Sequence, residues 1–526
     1  MNTLNGRTKR PVSAGPPGSA ASPGDSGSPA DSVPPSRSPF RLPTLRQDFT
    51  ASVVVFLVAL PLCVGVAVAS GVPAELGLVT GIVGGLIAGA LPGSSLQVSG
   101  PAAGLTVLVL EAVRAYGLAA LGVIVLVTGA LQLLMGALRW GRWFRAISVS
   151  VVEGMLAGIG LVLIAGQLYA MTGTDGPADG LDKIAGLPGM LADSFGSTAA
   201  RASLLLGAGT IAILVLWRRI PHAARFVPAP LAAVALAIVV SATFSLPVAK
   251  VEVTGLLDAV RLPEADDFST LANVGILGTI LAFTLIASAE SLFSAAAVDR
   301  MHDGRRTDYD KELMAQGAGN TVCGLLGALP MTAVIVRSSA NVQAGARTKA
   351  SRILHGVWLL LFAALFPAAL AVIPLPALAG VLVHAGFKLI PFRALPPLWR
   401  DHRGEVVILG VTAVSIVAIS MFEGVLIGLA MAVVKTAWEA SHVRLEVQDS
   451  GTGPVRAALS GNATFLRLPR ILDTLEALPH ARPVELDLSG LHHLDHACRT
   501  ALENWAARHG GSGADQVTVT PVQSRT

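Results

Sequence analysis

Between residues 49 and 438 the chain is a succession of apolar segments separated by short polar connections. Several segments, such as residues 118–138 and 146–169, are about 20 residues long, the length that an α-helix needs to cross a bilayer. Only 14% of the residues are charged, against about 25% in soluble domains. The sequence therefore predicts an α-helical polytopic membrane protein and excludes an ordinary soluble domain.

Fourteen predicted transmembrane elements divide into two halves of seven. The halves cover residues 45–245 and 271–440, and a polar, extracytoplasmic connection at residues 246–270 separates them. Residues 1–44 are rich in Pro, Ser and Gly, which predicts a disordered cytoplasmic tail. The elements are residues 49–70, 72–91, 101–111, 118–138, 146–169, 202–217 and 228–244, then 271–298, 313–329, a short element from 331, 353–373, 375–390, 406–420 and 422–438.

Basic residues follow the even-numbered elements, as expected of cytoplasmic loops. We therefore expect a multi-pass protein of the inner (plasma) membrane with both termini in the cytoplasm. Because seven is odd, the two halves would have opposite orientations, which is the inverted repeat found in many transporters. These basic residues include Arg139 and Arg142, Arg218 and Arg219, Arg300, Arg305 and Arg306, and Lys388.

The third and tenth elements are too short to cross the membrane. Ser99, Gly100 and Pro101 are typical of a helix start, and the apolar run that follows spans roughly half of the hydrocarbon core. A helix that begins at mid-membrane presents unpaired N–H groups, which attract an anion. The tenth element, from Met331, would present a second helix N-terminus that faces the first. Arg337 either adds a charge near the anion or reaches the cytoplasmic surface.

Glu290 lies inside the eighth predicted element, and an ionisable side chain within a membrane span indicates a functional site. Ser291 is its neighbour and Ser294 is one turn further on the same face. The carboxyl group would carry a proton or bind Na⁺. The alternative is a structural ion pair between Glu290 and Arg337.

Residues 441–526 have the alternating pattern of a small α/β domain, in which Asp495 is a natural helix cap.

Cys63, Cys323 and Cys498 are far apart, so we expect neither a disulfide framework nor a CxxC metal site. His492, His493 and His496 precede a helix start, where such a run rarely converges on one ion, so no metal site is expected. The net charge of +4 comes from basic residues in short loops, which set the orientation of membrane helices, so it does not indicate a nucleic-acid-binding surface.

Four segments resemble the SulP family of inorganic anion transporters, related to the eukaryotic sulfate and chloride/bicarbonate exchangers. They are QVSGPAAGLTVLVLEAV, ESLFSAAAVDR, KELMAQGAGNTVCGLLGALP and VRSSANVQAGARTKASRILHG. The resemblance covers about residues 45–440, and VELDLSGLHHLDHACRTAL resembles a STAS domain more loosely. Membership implies a fourteen-element inverted repeat of the uracil-permease type with core and gate subdomains, and a homodimer.

The resemblance also implies an anion site between the third and tenth elements. Glu290 matches an acidic position where bicarbonate-transporting members coordinate Na⁺, and Ser294 matches a hydroxyl ligand. Val334 and Ile335 depart from the hydroxyl or small residues of such Na⁺ sites, which favours H⁺. The implied anion site consists of Ser99, Gly100, Pro101, Ala102 and Ala103 against Ala333, Val334, Ile335, Val336, Arg337 and Ser338.

These observations predict a secondary active transporter of a small inorganic anion, bicarbonate or sulfate, coupled to H⁺ or Na⁺ and working by alternating access. Its partners would be the anion, the lipid bilayer and a second copy of the chain, with no nucleic acid. No nucleophile and base motif indicates an enzyme, and apart from Na⁺ as a coupling ion no cofactor is expected. An uncoupled anion channel, or a non-transporting sensor that signals through the STAS-like domain, remains the alternative.

Overall fold

The computed structural model describes residues 42–142, 148–177, 179–219, 227–253, 255–451, 453–479, 482–509 and 517–521. The tail predicted at residues 1–44 lies almost wholly outside these ranges. Within them the chain is mainly helical as far as Ala440 and then becomes a mixed α/β domain. The predicted fold class, a helical membrane region followed by a small α/β domain, is therefore confirmed.

The first half begins with α1 (Leu42–Ala69), which runs through Pro61 without ending. α2 (Ala74–Val83) continues into a π-helical turn, Gly84–Ala88. A strand, β1 (Ser99–Pro101), and a 3₁₀ turn, Ala103–Leu105, then precede α3 (Thr106–Ala137). The helices that follow are α4 (Val149–Thr172), α5 (Gly180–Ser194), α6 (Thr198–Leu216), α7 (Ala229–Thr243) and the short α8 (Leu256–Ala259).

The second half repeats the order of a short strand followed by a helix. It opens with α9 (Val274–Asp299) and α10 (Tyr309–Leu325), and β2 (Met331–Ala333) then leads into α11 (Ile335–Gln343). The remaining helices are α12 (Ala350–Leu365), α13 (Leu375–Leu389), α14 (Leu395–Asp401), α15 (Arg403–Ala418) and α16 (Met421–Ala440).

The structure corrects the predicted starts of the third and tenth elements. Ser99 to Pro101 do not open a helix, and neither does Met331, because both segments are extended strands. The helices begin only at Thr106 and Ile335. Backbone groups away from water must be paired, and the extended segments achieve this by pairing with each other.

Two further differences concern helix boundaries. α3 is interrupted at Gly117, whose φ of 84° and ψ of 168° are not helical, so the third and fourth predicted elements meet at this glycine. The predictions contain no element at α5 or α14. α5 contains Pro188, and α14 has only 7 residues, so neither has the long apolar run on which the predictions relied.

Among the described residues, six helices are long and apolar enough to cross a membrane: Thr44–Ala69, Ala103–Ala137, Val149–Thr172, Thr198–Leu216, Val274–Asp299 and Met421–Ala440. Shorter apolar helices include Ala74–Ala88, Ala229–Thr243, Ala350–Leu365 and Leu375–Leu389. The chain is a multi-pass membrane protein, and the count of fourteen elements stays a prediction.

The helices of the membrane region pack into two bundles. The core bundle contains α1 to α3 and α9 to α12, whereas the gate bundle contains α4 to α7 and α13 to α16; α1 contacts α7 and α13 across the boundary. Glycines allow the close packing on which membrane helices depend. A Cβ on Gly85, for example, would lie 2.5 Å from the Cα of Gly356.

The C-terminal domain contains a four-stranded sheet in the order β3 (Val443–Gln448), β4 (Val455–Ala463), β5 (Val484–Leu494) and β6 (Val517–Thr520). β3 and β4 are antiparallel, whereas β4, β5 and β6 are parallel. Its apolar core includes residues of α17 (Leu468–Glu476) and α18 (His496–His509). This arrangement is consistent with the predicted STAS-like domain.

Asp495 caps α18, as its position in the sequence predicts. Its carboxylate accepts the N–H of Cys498 at 2.7 Å and the N–H of Phe465 at 2.6 Å. Burial raises the pKa of Asp495, but these N–H groups favour the ionised form and hold the pKa below its usual value.

The domain is joined to α16 by a short and well-connected junction. The guanidinium of Arg467 lies 4.2 Å from the ring centre of Trp438, and its Nε donates to the Ser441 carbonyl at 2.9 Å. The Asn462 amide donates to the Ala440 carbonyl at 2.9 Å. The end of α16 is therefore fixed to the domain by side chains as well as by the chain itself.

Candidate functional site

Two extended segments, one from each half, form a two-stranded antiparallel sheet inside the core bundle. Gly100 of β1 lies opposite Thr332 of β2, and the Val334 N–H donates to the Val98 carbonyl at 3.0 Å. All residues of both strands are buried. The pairing satisfies backbone groups that water does not reach, so two helices can be interrupted at depth.

One face of α10 holds both strands in position. The Asn320 amide donates to the Met331 carbonyl at 3.0 Å, and its oxygen accepts the Met331 N–H at 2.7 Å. One turn earlier, Gln316 donates to Ser99 Oγ and to Glu312 Oε1, both at 2.7 Å. We call Glu312, Gln316 and Asn320 the polar face of α10.

The hydrogen-bond network continues from this face to α3 and α9. Asn320 donates to Gln132 Oε1 at 2.7 Å, and Gln132 in turn donates to Ser288 Oγ at 3.1 Å. From α9, Ser291 Oγ accepts the Ala333 N–H at 3.2 Å. The strands are therefore anchored on three helices of the core bundle.

Sequence reasoning missed the polar face of α10, although a signal was present. Glu312, Gln316 and Asn320 recur at every fourth residue, which places them on one side of a helix. All three are buried. Buried polar groups need hydrogen-bond partners, so a polar stripe in a predicted membrane helix indicates a packed polar neighbour.

Arg337 lies in the first turn of α11, and only 1% of it is exposed. Its Nη2 donates to the Pro101 carbonyl at 3.5 Å. Nε and Nη1 have no hydrogen-bond partner among the described residues. Gly100 provides the space for this side chain, since a Cβ there would collide with Nη1. Arg337 therefore points into the core bundle and does not reach the cytoplasmic surface.

Glu290, on α9, lies against β2 and the 3₁₀ turn before α3. Its carboxylate is beside the Thr332 hydroxyl, and a Cβ on Gly104 would lie 2.9 Å from both carboxylate oxygens. Glu290 Oε2 has no hydrogen-bond partner in the described part of the chain. No ion pair joins Glu290 to Arg337 in that part, so the structural pair considered from the sequence is not formed.

A cavity of about 100 Å³ lies between the core and gate bundles, and Glu290 and Arg337 both line it. Among the predicted site residues, those that line the cavity are Pro101, Ala103, Glu290, Ser294, Val334, Ile335, Val336 and Arg337.

The other predicted site residues lie behind the cavity wall. Ser99 accepts a hydrogen bond from Gln316, and Ser338 Oγ accepts the Val98 N–H at 2.9 Å. Gly100, Ala102 and Ala333 are buried in the strands or beside them. Their contacts support the wall of the cavity rather than form its surface.

His384 and Lys388 line the cavity from the gate side. They are one turn apart on α13. Sequence reasoning assigned Lys388 to a cytoplasmic loop, because a basic residue after an apolar run is the usual topology signal. The predicted element at residues 375–390 already includes this lysine, and the structure adds that it lines the cavity, so the gate bundle contributes a basic side chain there.

The cavity offers few ligands for a coupling cation. Hard cations bind several oxygen atoms, and α9 provides the Glu290 carboxylate and the Ser294 hydroxyl. The side chains of Val334 and Ile335 add no oxygen. Within the described residues, no three His, Cys, Asp or Glu side chains come together as a metal site.

The sequence matches the model of the sulfate permease family over residues 45–412. The putative sulfate transporter YvdB of Bacillus subtilis (strain 168) is 25% identical over 484 residues, 88% of this chain and 89% of that protein. The bicarbonate transporter BicA of Picosynechococcus sp. is 27% identical over 424 residues, 76% of this chain and 72% of that protein.

Two solved structures have the same fold. The transmembrane domain of a cyanobacterial bicarbonate transporter BicA aligns with a TM-score of 0.62 and 23% identity, covering 75% of this chain and 98% of that one. SLC26A9 aligns with a TM-score of 0.76 and 16% identity, covering 91% of this chain and 85% of that one.

Proposed function

Because the chain belongs to the sulfate permease family, we propose that it is a secondary active transporter of a small inorganic anion, bicarbonate or sulfate. The membrane region and the anion substrate are properties of this family of transporters, which are not enzymes.

The observation that carries the proposal is the buried guanidinium of Arg337, whose Nε and Nη1 have no hydrogen-bond partner among the described residues. Such a group is costly without an acceptor, and it lines a cavity large enough for a small ion. An anion that accepts hydrogen bonds from Nε and Nη1 would remove this cost. The nearby strand ends and the first turn of α11 add backbone dipoles.

Alternating access would follow from the position of the cavity between two bundles. Its walls come from α1, β1, α9 and α11 on the core side and from α4, α6, α7 and α13 on the gate side. A movement of the core bundle against the gate bundle would open the cavity to one side of the membrane at a time.

Glu290 is our candidate for the coupling group. It lines the same cavity, and its buried Oε2 accepts no hydrogen bond from a described residue. The shortage of further oxygen ligands favours H⁺ over Na⁺. We further propose a homodimer in the inner membrane with cytoplasmic termini, in which the STAS-like domain is on the cytoplasmic side.

The coupling role is tested by Glu290→Gln in proteoliposomes. A counterflow screen of bicarbonate, sulfate, chloride and dicarboxylates, at two pH values with and without Na⁺, first identifies the anion and the coupling ion. We expect the variant to lose the dependence of uptake on pH or Na⁺ while still binding the anion. Unchanged dependence would contradict the role of Glu290.

The position of the anion is tested by Ala103→Leu, which places additional carbon atoms in the cavity. Uptake should fall strongly while the melting temperature stays near that of the wild type. Normal uptake would contradict this location. Currents far above carrier turnover in a planar bilayer would identify a channel, and a complete absence of flux would favour a sensor.

A further inference from the structure

The chain passes repeatedly between the core and gate bundles, and two of these connections meet in space. One of the two follows α7 and leads to α9, and the other joins α12 to α13. Lys250 of the first connection and Pro374 of the second form an antiparallel β-bridge. We call residues 249–251 and 373–375 the crossover bridge.

Two backbone hydrogen bonds hold the crossover bridge together. The Val251 N–H donates to the Ile373 carbonyl at 3.0 Å, and the Leu375 N–H donates to the Ala249 carbonyl at 2.9 Å. These bonds lie on either side of the central pair, which is the pattern of a non-hydrogen-bonded pair between antiparallel strands. Pro374 belongs to this central pair, so its missing N–H costs no hydrogen bond here.

The crossover bridge lies where both connections meet the gate bundle. Leu375 is the first residue of α13, so the second connection reaches the gate bundle within the bridge itself. In the first connection, Leu246 and Val248 pack against an apolar cluster that includes Leu206 of α6 and Ala377 of α13. The bridge is therefore attached firmly to the gate bundle.

Shortly after the bridge, the first connection is attached to the core bundle. The Gly255 N–H donates to Glu75 Oε1 of α2 at 3.1 Å. Further along, the backbone of Arg261 lies against the loop after α10, since a Cβ on Gly327 would lie 2.6 Å from the Arg261 carbonyl oxygen. The second connection leaves α12 as a 3₁₀ turn, Pro367–Ala369. Each connection is therefore short between the core bundle and the crossover bridge.

Building on the proposed function, we infer that the crossover bridge is a hinge that stays intact while the core bundle moves against the gate bundle. A hinge concentrates the change of backbone angles in a few residues between rigid parts, and the short stretches on the core side of the bridge fit this role. Because the bridge holds both connections at one point, the bundles cannot slide past each other there. The core bundle therefore turns about the bridge, and its displacement grows with the distance from it.

The test is a disulfide in the double variant Lys250→Cys/Pro374→Cys. The Cα atoms of a non-hydrogen-bonded pair are about 4.5 Å apart, within the range that a disulfide accepts. Uptake of radiolabelled sulfate and hydrogencarbonate by the full-length chain in proteoliposomes is measured after oxidation and again after reduction. We expect the oxidised variant to transport within about twofold of its reduced form, because the hinge stays closed during movement. The wild type with the same oxidant controls for its three buried cysteines.

A second disulfide at a distance from the bridge is the matched control. Leu382 is eight residues after Pro374, which is about 12 Å along α13. A Cβ on Gly65 of α1 would lie 3.5 Å from Leu382 Cγ, so the variant Gly65→Cys/Leu382→Cys brings two thiols together across the boundary between the bundles. Its oxidation should lower uptake more than about tenfold, and reduction should restore it, because the disulfide joins surfaces that move apart.

The inference is overturned if oxidation stops uptake by Lys250→Cys/Pro374→Cys, or if this pair forms no disulfide, while the wild type transports. Unchanged uptake by the oxidised Gly65→Cys/Leu382→Cys variant would also overturn it, because the bundles would then not move as the hinge requires. A wild type that takes up neither anion would instead contradict the proposed function, and with it the movement that the hinge serves.

Hydrogen exchange of the wild type in lipid nanodiscs decides even if the cysteine variants fail to fold. The N–H groups of Val251 and Leu375 are the two donors of the crossover bridge, so they should stay equally protected with and without the transported anion. Exchange that becomes more than about tenfold faster when the anion is added would show that the bridge opens and would overturn the hinge.

Discussion

The two strand–helix segments have the same backbone arrangement but different side-chain chemistry. β1 and the 3₁₀ turn before α3 contribute Pro101, Ala103 and Gly104 to the cavity, without a charged group. α11, which follows β2, contributes the buried Arg337. One segment therefore supplies space and backbone, whereas the other supplies charge. The comparison teaches that a pair of similar segments can divide the tasks of an anion site between them.

The charged segment should be the more sensitive of the two. Arg337→Met keeps the volume of the side chain but removes the guanidinium, so we expect anion uptake to fall by about 100-fold, the loss of a strong charge-assisted hydrogen-bond set. Arg337→Lys keeps the charge but lacks the planar guanidinium group, so anion uptake should fall less in this variant. Uptake by Arg337→Met within a few-fold of the wild type would remove the distinction between the segments.

A substitution in the polar face of α10, which holds β2 in position, should give the next largest effect. Asn320→Leu leaves the N–H and carbonyl of Met331 without their present partners, which should destabilise the folded protein by about 2 kcal/mol. Thr321→Val is the matched control, since in the described part of the chain this neighbouring hydroxyl donates only to the Gly317 carbonyl of its own helix. Melting curves in detergent measure both. Equal melting temperatures for the two variants would show that β2 does not need this anchor.

The segment that supplies space is tested by Gly104→Ala. The added Cβ would lie 2.9 Å from both carboxylate oxygens of Glu290, so the carboxylate must move, and we expect uptake to fall by about tenfold (~1.4 kcal/mol). Gly278→Ala on the same helix as Glu290 is the control, because a Cβ there has nothing within 4 Å. A loss that is equal in both variants would mean that the space above Gly104 has no special role.

The smallest effect is expected where α11 supports β1. Ser338→Ala removes the acceptor of the Val98 N–H, which should cost about 1 kcal/mol of stability and change uptake little. Ser339→Ala should cost less, because among the described residues the Ser339 hydroxyl donates only to the Val336 carbonyl of its own helix. If the two serine variants melt at the same temperature, the link between the segments is weaker than the hydrogen bond suggests.

The broad features of this molecule could be predicted from the sequence because they depend on composition and periodicity. Long apolar runs reveal membrane helices, and the short runs near Pro101 and Met331 reveal interrupted ones. The strands could not be predicted in the same way. Each has 3 residues, too few for an alternating pattern, and each is stabilised by pairing with a segment more than 200 residues away.

The side chains of the cavity were predictable to different degrees. Glu290 and Arg337 stand out, because a charge in an apolar context is costly and therefore informative. Lys388 did not, because a basic residue near a helix end is usually a topology signal. Asn320 and Gln316 were missed although their spacing was visible. Which strand they would contact depends on tertiary packing.

The junction between α16 and the C-terminal domain has a mechanical consequence. α16 ends at Ala440 and β3 begins at Val443, so two residues connect them, and Arg467 and Asn462 bridge the same gap. Such a joint has little freedom to bend. A tilt of α16 would therefore rotate the whole C-terminal domain with it. In the same way, a force applied to the domain would be transmitted to the gate bundle.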